Sequence, residues 1–350
     1  MSGGDPLKAG IEIESTLSCP RCGHQSVEEM PSNACRFFYT CKGCGERLKP
    51  LPGDCCVFCS YGTVPCPPVQ AGRRCSYAAK RPPMTNADGE LPPILNRKSL
   101  RESSVFDPKA LLREARRQKG LAARDVPAVC ILDPDGDVVR YLKASGEAHP
   151  FPSWPCYHTE LHTFELAGES IGIIGYAVGA SFAVLVAEEL FACGCRFLLS
   201  LTSAGQIAPV GTPPYFVVIE RALRDEGTSY HYAAPADFAE ADARLVAIAI
   251  DALEREGLRV FAGASWTTDA PFRETAEAIE HARAAGVLAV EMEAAALYAF
   301  ARARAAPVLC LAHVTNAMGR GQEDFEKGEG DGTAEALKIM QAIVKAVRSR

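Results

Sequence analysis

The chain has 350 residues, with 37 Lys and Arg against 43 Asp and Glu, so its formal net charge at pH 7 is −6. This length leaves room for two or more domains, and the mildly acidic balance argues against a nucleic acid or a membrane surface as partner. The sequence contains neither a run of about 18 apolar residues, as a membrane span needs, nor a signal-peptide pattern at its start. We therefore expect a cytoplasmic protein.

The 15 cysteines are distributed unevenly, and ten of them lie between Cys19 and Cys75. Two C-x-x-C-G motifs, at 19–23 and 41–45, can each place two thiolates on one side of a tight turn. Together they complete the closed tetrahedral S4 site of structural zinc, in a small domain that is similar to a zinc ribbon. A redox dithiol is the alternative. The predicted zinc ligands are Cys19, Cys22, Cys41 and Cys44.

A second group of thiols follows in the string G-D-C-C-V-F-C-S-Y-G at 53–62 and at Cys66. Through this string, residues 17–70 resemble the GDCCVxC-type family of cysteine-rich bacterial domains. The resemblance implies the binding of a metal ion, with a preference for a soft ion that favours thiolate. Two alternatives stay open for this group, a second metal site or simple packing. Its members are Cys55, Cys56, Cys59 and Cys66.

Residues 76–108 are rich in proline, glycine and polar side chains, which is typical of a linker. We therefore predict a cysteine-rich domain over 1–75, a linker over 76–108 and a second domain over 109–350. In the second domain, helical and strand patterns alternate, which indicates an α/β layered fold with a central sheet. The predicted helices are 110–119, 179–193, 236–256 and 334–347, and the predicted strands are 126–132, 170–175, 197–202, 215–219, 260–264, 288–290 and 308–312.

The segment 290–298 reads as the end of an apolar strand that turns directly into an Ala-rich helix. It carries Glu291 and Glu293 at the start of that helix, where the helix dipole favours an ionised carboxylate. Such a carboxylate accepts hydrogen bonds at two oxygens, which suits the adjacent hydroxyls of a ribose. Met292 can lie against the apolar face of the sugar. The alternative is that both acids are ordinary first-turn charges.

Three strings give a second resemblance, over about residues 128–316. They are G-A-S at 179–181 with A-E-E-L at 187–190, R-D-E-G-T-S-Y-H-Y at 224–232, and E-M-E-A at 291–294. In this order and spacing they are similar to the nucleoside phosphorylase family, which includes purine and uridine phosphorylases. The string V-T-N at 314–316 is closest to the uridine phosphorylase branch. The resemblance implies a three-layer α/β fold with a mixed central sheet.

The resemblance also implies roles for single residues. Glu293 would hold the ribose 2′- and 3′-hydroxyls, and Ser203 matches a residue that contacts sugar and phosphate. Phe272 would stack on the base, with packing in the core as its alternative. The implied catalytic set, including groups that assist the departing base, is Glu293, Asp269 and Asn316. The implied substrate-binding set is Met292, Glu291, Ser203, Phe272, Arg273 and Gly179.

The cationic groups that phosphorylases use to hold phosphate do not match. Relatives have arginines where this chain has the turn 132–136, Ser200 and Thr159. The loss of three charge-assisted contacts would weaken phosphate binding by several kcal/mol, on the order of a thousandfold or more. Three side chains are candidate substitutes: Arg140, His158 and Arg224. Asp133 and Asp135 are candidates to activate a water instead, with a simple β-turn as the alternative.

The sequence thus predicts an enzyme that cleaves the N-glycosidic bond of a nucleoside, with a pyrimidine nucleoside as one candidate substrate and inorganic phosphate or water as nucleophile. The resemblance implies a homo-oligomer, a trimer or a hexamer. The alternative function is a non-catalytic nucleoside- or nucleotide-binding protein that is coupled to a metal-binding module.

Overall fold

The computed structural model describes residues 11–31, 35–51, 54–71, 91–96, 99–100, 102–317 and 327–349. The chain divides into two compact units, Met1–Pro92 and Pro93–Arg350. Most of the predicted linker, 76–108, lies outside the described residues. In the described parts of the chain, no helix is long and apolar enough to cross a membrane.

The N-terminal unit consists of two hairpins followed by two short helices. Its elements are β1 (Glu14–Ser18), β2 (Gln25–Glu29), β3 (Tyr39–Thr40), β4 (Arg47–Leu48), α1 (Val57–Tyr61) and α2 (Pro67–Gln70). Strand β1 pairs with β2, and β3 pairs with β4, both antiparallel. The C-x-x-C-G motifs form the turns of the two hairpins. Leu17, Met30 and Phe58 pack with several cysteines in the core of this unit.

The C-terminal unit alternates strands and helices. Its first half contains α3 (Pro108–Lys119), β5 (Val129–Asp133), α4 (Asp137–Ala144), β6 (His149–Pro150), β7 (His162–Leu166), β8 (Glu169–Gly175), α5 (Ala180–Ala192), β9 (Phe197–Gln206) and β10 (Tyr215–Asp225). Its second half contains β11 (Phe238–Glu240), α6 (Ala243–Arg255), β12 (Phe261–Thr268), α7 (Ala276–Ala284), β13 (Val287–Glu291), α8 (Ala294–Arg304), β14 (Val308–Ala317) and α9 (Thr333–Arg348).

Ten strands of the described residues form one mixed sheet in the order β11-β10-β12-β13-β9-β5-β8-β7-β6, with β14 between β9 and β10. The first half of β9 pairs with β5, and its end pairs with β13 through Gly205 and Gln206. Because β14 pairs with both β9 and β10, strands β9, β14, β10, β12 and β13 close into a ring. We call these five strands the barrel.

Helices cover both faces of the sheet, because strand side chains alternate between two cores. On β9, Leu198 belongs to the core that contains residues of α3, α5 and α8. The next residue, Leu199, belongs to the core that contains residues of α4, α6 and α9. The predicted three-layer α/β fold with a mixed central sheet is therefore confirmed.

The prediction of one helix over 236–256 is wrong at its start. Phe238–Glu240 is the edge strand β11, which pairs antiparallel with Arg221–Leu223 of β10. The helix begins only at Ala243, because the side chain of Asp242 accepts a hydrogen bond from the N–H of Arg244 and caps it. The helical pattern of apolar residues includes Phe238 and Ala239, but their pairing with β10 makes them part of a strand.

Several strands extend beyond their apolar runs. Strands β9, β10, β12 and β14 continue for four to six residues past their predicted ends at 202, 219, 264 and 312. The polar residues Ser203, Thr268 and Asn316, which follow the apolar runs, therefore lie within strands, because the pairing of the barrel continues there. At Gly205, β9 has Val290 of β13 on one side and Asn316 of β14 on the other.

Candidate functional site

The strand β13 and the helix α8 meet at the Glu291–Glu293 segment, and Glu291 organises this junction. One of its carboxylate oxygens accepts hydrogen bonds from the N–H groups of Glu293 and Ala294, both at 2.7 Å. The other accepts from the hydroxyls of Ser265, at 2.9 Å, and Thr267, at 2.5 Å. A carboxylate has about four acceptor positions, so the protein itself fills all of them.

This saturation decides the role of Glu291, which is only 3% exposed. The structure does not support the substrate contact that the sequence predicted for it, because no acceptor position remains. Burial raises its pKa, and the Thr267 hydroxyl and the two amide donors oppose that shift. Glu291 instead fixes the backbone that presents Met292 and Glu293.

Glu293 is the N-cap residue of α8 and has a different environment. Its Oε1 accepts a hydrogen bond of 2.6 Å from the N–H of Gly179, which precedes α5. Its Oε2 is buried and has no hydrogen-bond partner among the described residues. Burial raises the pKa of Glu293 to about 8, the charge of Glu291 adds to the rise, and the Gly179 N–H opposes it. An unpaired buried polar atom of this kind is costly, and it points to a ligand hydroxyl, which can either donate or accept.

Asp135, in the turn after β5, lies near Glu293. Asp135 Oδ2 accepts a hydrogen bond of 2.7 Å from the N–H of Ser203 on β9. The charge of Asp135 also contributes to the raised pKa of Glu293, and the nearby Thr202 hydroxyl opposes it. We call the region around Glu293, Asp135 and Ser203 the carboxylate site.

The string D-P-D-G at 133–136 forms the β-turn that its composition indicates, with a hydrogen bond of 2.9 Å from the N–H of Gly136 to the carbonyl of Asp133. The side chain of Asp133 points inward, where it accepts a bond of 2.8 Å from the N–H of Val139. Burial raises the pKa of Asp133 to about 7, and the Val139 N–H opposes this shift. Asp135, not Asp133, therefore lies towards the carboxylate site.

A tyrosine that the sequence did not single out covers this turn. Tyr176 has φ +66°, which is unfavourable for a residue with a side chain, and it is 56% exposed. A Cβ placed on Gly136 would lie 2.2 Å from its ring. Only the positive φ and the close approach could have identified it, and a single sequence shows neither.

The candidate groups for the base lie elsewhere on the barrel. Asp269 follows β12 and is exposed, and its Oδ2 accepts a bond of 2.8 Å from the N–H of Gly227. Phe272 is 99% exposed, so the alternative of core packing is wrong. Arg273 is also exposed. Asn316, on β14, is the member of this set that pairs with Gly205 of β9, which has Val290 of β13 on its other side.

The proposed substitutes for the missing arginines are already engaged or exposed. Arg224 is buried, donates to the Ser229 hydroxyl at 2.8 Å and to the Ala234 carbonyl at 2.6 Å, and packs over Tyr230. Arg140 pairs with Asp137, and His158 is exposed.

Lys327 and Ser200 also bear on whether this chain can hold phosphate. Lys327, which the sequence did not indicate, also pairs with Asp137, at 2.6 Å. Ser200, which stands in place of an arginine, is buried, and its hydroxyl has no partner among the described residues. Within the described parts of the chain, the two cations Arg140 and Lys327 thus share one carboxylate, that of Asp137.

The four predicted zinc ligands come together in the N-terminal unit. The sulfur atoms of Cys19 and Cys44 are 3.8 Å apart, and those of Cys22 and Cys41 are 3.7 Å apart. Sulfur ligands about 2.3 Å from a tetrahedral zinc ion would be about 3.8 Å from each other. All four lie within 4.8 Å of one another, so this group fits a zinc ion.

The two turns that carry these cysteines have the same hydrogen bonds. The N–H of Gly23 donates to the carbonyl of Cys19, and the N–H of Gly45 donates to that of Cys41, both at 2.9 Å. Both glycines have positive φ, +71° and +74°, a conformation that other residues adopt only with strain. The G of each C-x-x-C-G motif is therefore a requirement of the turn.

Solved structures share the fold of the C-terminal unit. A uridine phosphorylase from Vibrio fischeri ES114 matches with a TM-score of 0.55 and 21% identity, over 64% of this chain and 95% of the other. A purine nucleoside phosphorylase from Toxoplasma gondii, solved with immucillin-H, matches with a TM-score of 0.56 and 16% identity, over 65% of this chain and 94% of the other. At these identities the likeness concerns the fold.

Two characterised relatives match by sequence. A uridine phosphorylase from Thermococcus kodakarensis is 27% identical over 234 residues, which are 59% of this chain and 83% of the relative. A guanosine phosphorylase from Halorubrum lacusprofundi is 28% identical over 135 residues, 39% of this chain and 56% of the relative.

The three-layer fold, the barrel and the buried carboxylates define an α/β enzyme of the nucleoside phosphorylase class. The family model described as Phosphorylase superfamily matches residues 128–348. The chain belongs to this superfamily. The predicted family of the C-terminal domain and the prediction of an enzyme are therefore confirmed.

Proposed function

We propose that the C-terminal unit cleaves the N-glycosidic bond of a nucleoside. The observation that carries this proposal is the Oε2 atom of Glu293, which is buried without a hydrogen-bond partner among the described residues. Its neighbour Oε1 is fixed by the N–H of Gly179, so the carboxylate is already oriented. A ribose hydroxyl would supply the missing donor, and that bond would strengthen as positive charge develops on the sugar.

Other residues are candidates to contact the sugar and the base. Met292 is half-buried next to Glu293 and would lie against the apolar face of the ribose. Asn316, from strand β14 on the other side of β9, would hydrogen-bond to the departing base, with Asp269 and Arg273 as further candidates. Phe272 offers an exposed ring on which a base could stack.

Phosphate is the first candidate for the nucleophile, because both characterised relatives are named as phosphorylases. A specific observation favours water as a second candidate. Asp135 places a carboxylate on the N–H of Ser203, beside Glu293. A negative charge there repels a phosphate dianion, and the same carboxylate can take a proton from a water.

An incubation of the full chain with uridine, guanosine and inosine tests the proposal, with and without inorganic phosphate. The free base is expected in the chromatogram, and its dependence on phosphate identifies the nucleophile. In Glu293→Ala, kcat/KM is expected to fall by about a hundredfold or more. Glu254→Gln, which changes an exposed carboxylate on α6, is the matched control and is expected to keep full activity. Base release that is equal in Glu293→Ala and the wild type would contradict the proposal.

We also propose that Cys19, Cys22, Cys41 and Cys44 hold one structural zinc ion. The distances between their sulfur atoms, 3.7 and 3.8 Å across the two measured pairs, support this assignment. The ion would join the two hairpins, which share no strand pairing of their own among the described residues. Binding would release the thiol protons to solvent.

A further inference from the structure

The N-terminal unit contains a second cluster of thiols that the zinc site does not use. The sulfur of Cys55 is 3.3 Å from that of Cys59 and 3.6 Å from that of Cys66. The sulfur of Cys59 is 3.7 Å from that of Cys56 and 3.6 Å from that of Cys66. The remaining two pairs are within 4.8 Å. We call these four residues the second thiol cluster.

These distances match a tetrahedral metal site. Four thiolates at about 2.3 Å from a common ion would be about 3.8 Å apart, and the four shorter distances are close to that value. Cys35 also lies within 4.8 Å of Cys55, Cys56 and Cys66, but it is disulfide-bonded. The free thiols of the cluster therefore number four, which is the number that a closed site requires.

Local structure holds the four sulfur atoms together before any ion binds. Cys55 precedes α1, Cys56 is its N-cap residue in an extended conformation, and Cys59 lies within the helix, so three of the four thiols come from one stretch of five residues. Cys66 is the N-cap residue of α2. The hydroxyl of Ser60 donates to Asp54 at 2.8 Å and accepts from the N–H of Leu51 at 2.9 Å, which fixes the start of this segment.

Backbone contacts then hold the segment between α1 and α2 against β1. The N–H of Thr63 donates to the carbonyl of Thr16 at 3.1 Å, and Gly62 forms a bridge with Leu17. A Cβ at Gly62 would lie 2.5 Å from both the Phe58 carbonyl oxygen and the Ser15 hydroxyl. This close approach brings Cys66 back to the thiols of α1.

The two clusters differ in exposure. Cys22 and Cys44 of the zinc site are exposed. In the second thiol cluster, Cys55 is 6% exposed, Cys56 0% and Cys66 1%, while Cys59 is half-buried. An ion held by buried thiolates is shielded from competing ligands in solution.

We propose that the second thiol cluster binds a second, thiolate-preferring metal ion such as Zn²⁺, which exchanges more slowly than the ion in the first site. Binding exchanges four S–H bonds for four metal–sulfur bonds and releases the protons to solvent. The proposal is independent of the catalytic proposal, because it concerns residues of the N-terminal unit alone.

Elemental analysis of the full chain, purified with added Zn²⁺ and without a reductant that would break the Cys35 disulfide, tests it. Two zinc ions per chain are expected in the wild type and one in Cys55→Ser/Cys66→Ser. One is also expected in Cys19→Ser/Cys41→Ser, whereas Cys156→Ser, which changes a cysteine of the C-terminal unit, is the matched control and should keep two. The proposal is overturned if the wild type holds one ion and Cys55→Ser/Cys66→Ser keeps it. It is also overturned if the wild type holds two ions and this variant keeps both.

A chelator-release assay assigns the two ions by rate. A chromogenic chelator should release zinc in a fast and a slow phase, and the slow phase should be missing only from Cys55→Ser/Cys66→Ser. If that variant fails to fold, a titration of the metal-free wild type with Cd²⁺, followed by thiolate-to-metal absorption, decides the question. Saturation at two equivalents supports the second site, and saturation at one overturns it.

Discussion

The carboxylate of Asp135 accepts a 2.7 Å hydrogen bond from the backbone N–H of Ser203, and this bond joins the turn after β5 to the middle of β9. An anionic ligand that needs the same N–H group must displace that carboxylate. The position of Asp135 therefore bears directly on the choice between phosphate and water.

Asp135→Asn separates the two nucleophiles, because the amide oxygen can still accept from Ser203 while the negative charge is lost. If water is the nucleophile, base release without phosphate should fall by about a hundredfold or more, since a general base has been removed. Steady-state kinetics with and without phosphate measure this. A variant that keeps its phosphate-independent rate, or that gains affinity for phosphate at full turnover, would exclude Asp135 as a base.

Glu293→Gln should stabilise the protein in a pH-dependent way. The pKa of Glu293 is about 8 in the folded chain against an ordinary value of 4.5, so the folded state holds an extra proton between these limits. The free energy of unfolding then falls as pH rises through this window, by up to about 1.4 kcal/mol per pH unit. The glutamine has no such proton, so its Tm should match the wild type near pH 4.5 and exceed it by several degrees at pH 9.

Thermal denaturation at a series of pH values checks this difference. Glu254→Gln, which removes an exposed carboxylate of α6, is again the control. If the difference in Tm between Glu293→Gln and the wild type were the same at every pH, the buried carboxylate would already be ionised at low pH.

Glu291→Gln should destabilise the protein, in contrast to Glu293→Gln. The four donors around Glu291 all need an acceptor, and an amide would turn its two hydrogens towards two of them. Each stranded buried group costs about 1–3 kcal/mol, so the free energy of unfolding should fall by about 2–6 kcal/mol. Chemical denaturation gives this value, and a loss below about 1 kcal/mol would show that the four bonds are not made together.

Gly23→Ala and Gly45→Ala should each weaken zinc binding without a steric clash. Neither glycine has an atom within 4 Å of a built Cβ, so only the positive φ opposes the change. That conformation costs about 1–2 kcal/mol, which corresponds to about a five- to thirtyfold loss of affinity. Competition with a chromogenic chelator measures it. Gly257→Ala, a glycine of φ +66° in the C-terminal unit, should leave zinc affinity unchanged.

The local parts of the site were predictable from the sequence. The C-x-x-C-G spacing placed Cys19, Cys22, Cys41 and Cys44 correctly as neighbours, because each pair is set by a single turn. The strand-to-helix junction at Glu293 followed from the change in apolar pattern. The trimeric or hexameric state and the cytoplasmic location stay predictions.

The long-range parts were not predictable. The barrel closes because β14 pairs with both β9 and β10. A local sequence pattern does not indicate which strands pair with each other. Glu291 looked equivalent to Glu293 because its donors, Ser265 and Thr267, lie 26 and 24 residues away in the chain. The segment of β11 was predicted as part of a helix for the same reason, because the strand that it pairs with, β10, is not adjacent in sequence.

Glu293 Oε2 has no hydrogen-bond partner among the described residues, so a sugar that binds there should be detectable from the thermal stability of the protein. A pentoside that fills this position binds the folded chain and not the unfolded one, so it must raise the Tm in proportion to the logarithm of its concentration above Kd. A thermal-shift survey of ribosides, run at fixed pH beside Glu293→Ala, can therefore rank the bases that the enzyme accepts before any turnover is measured.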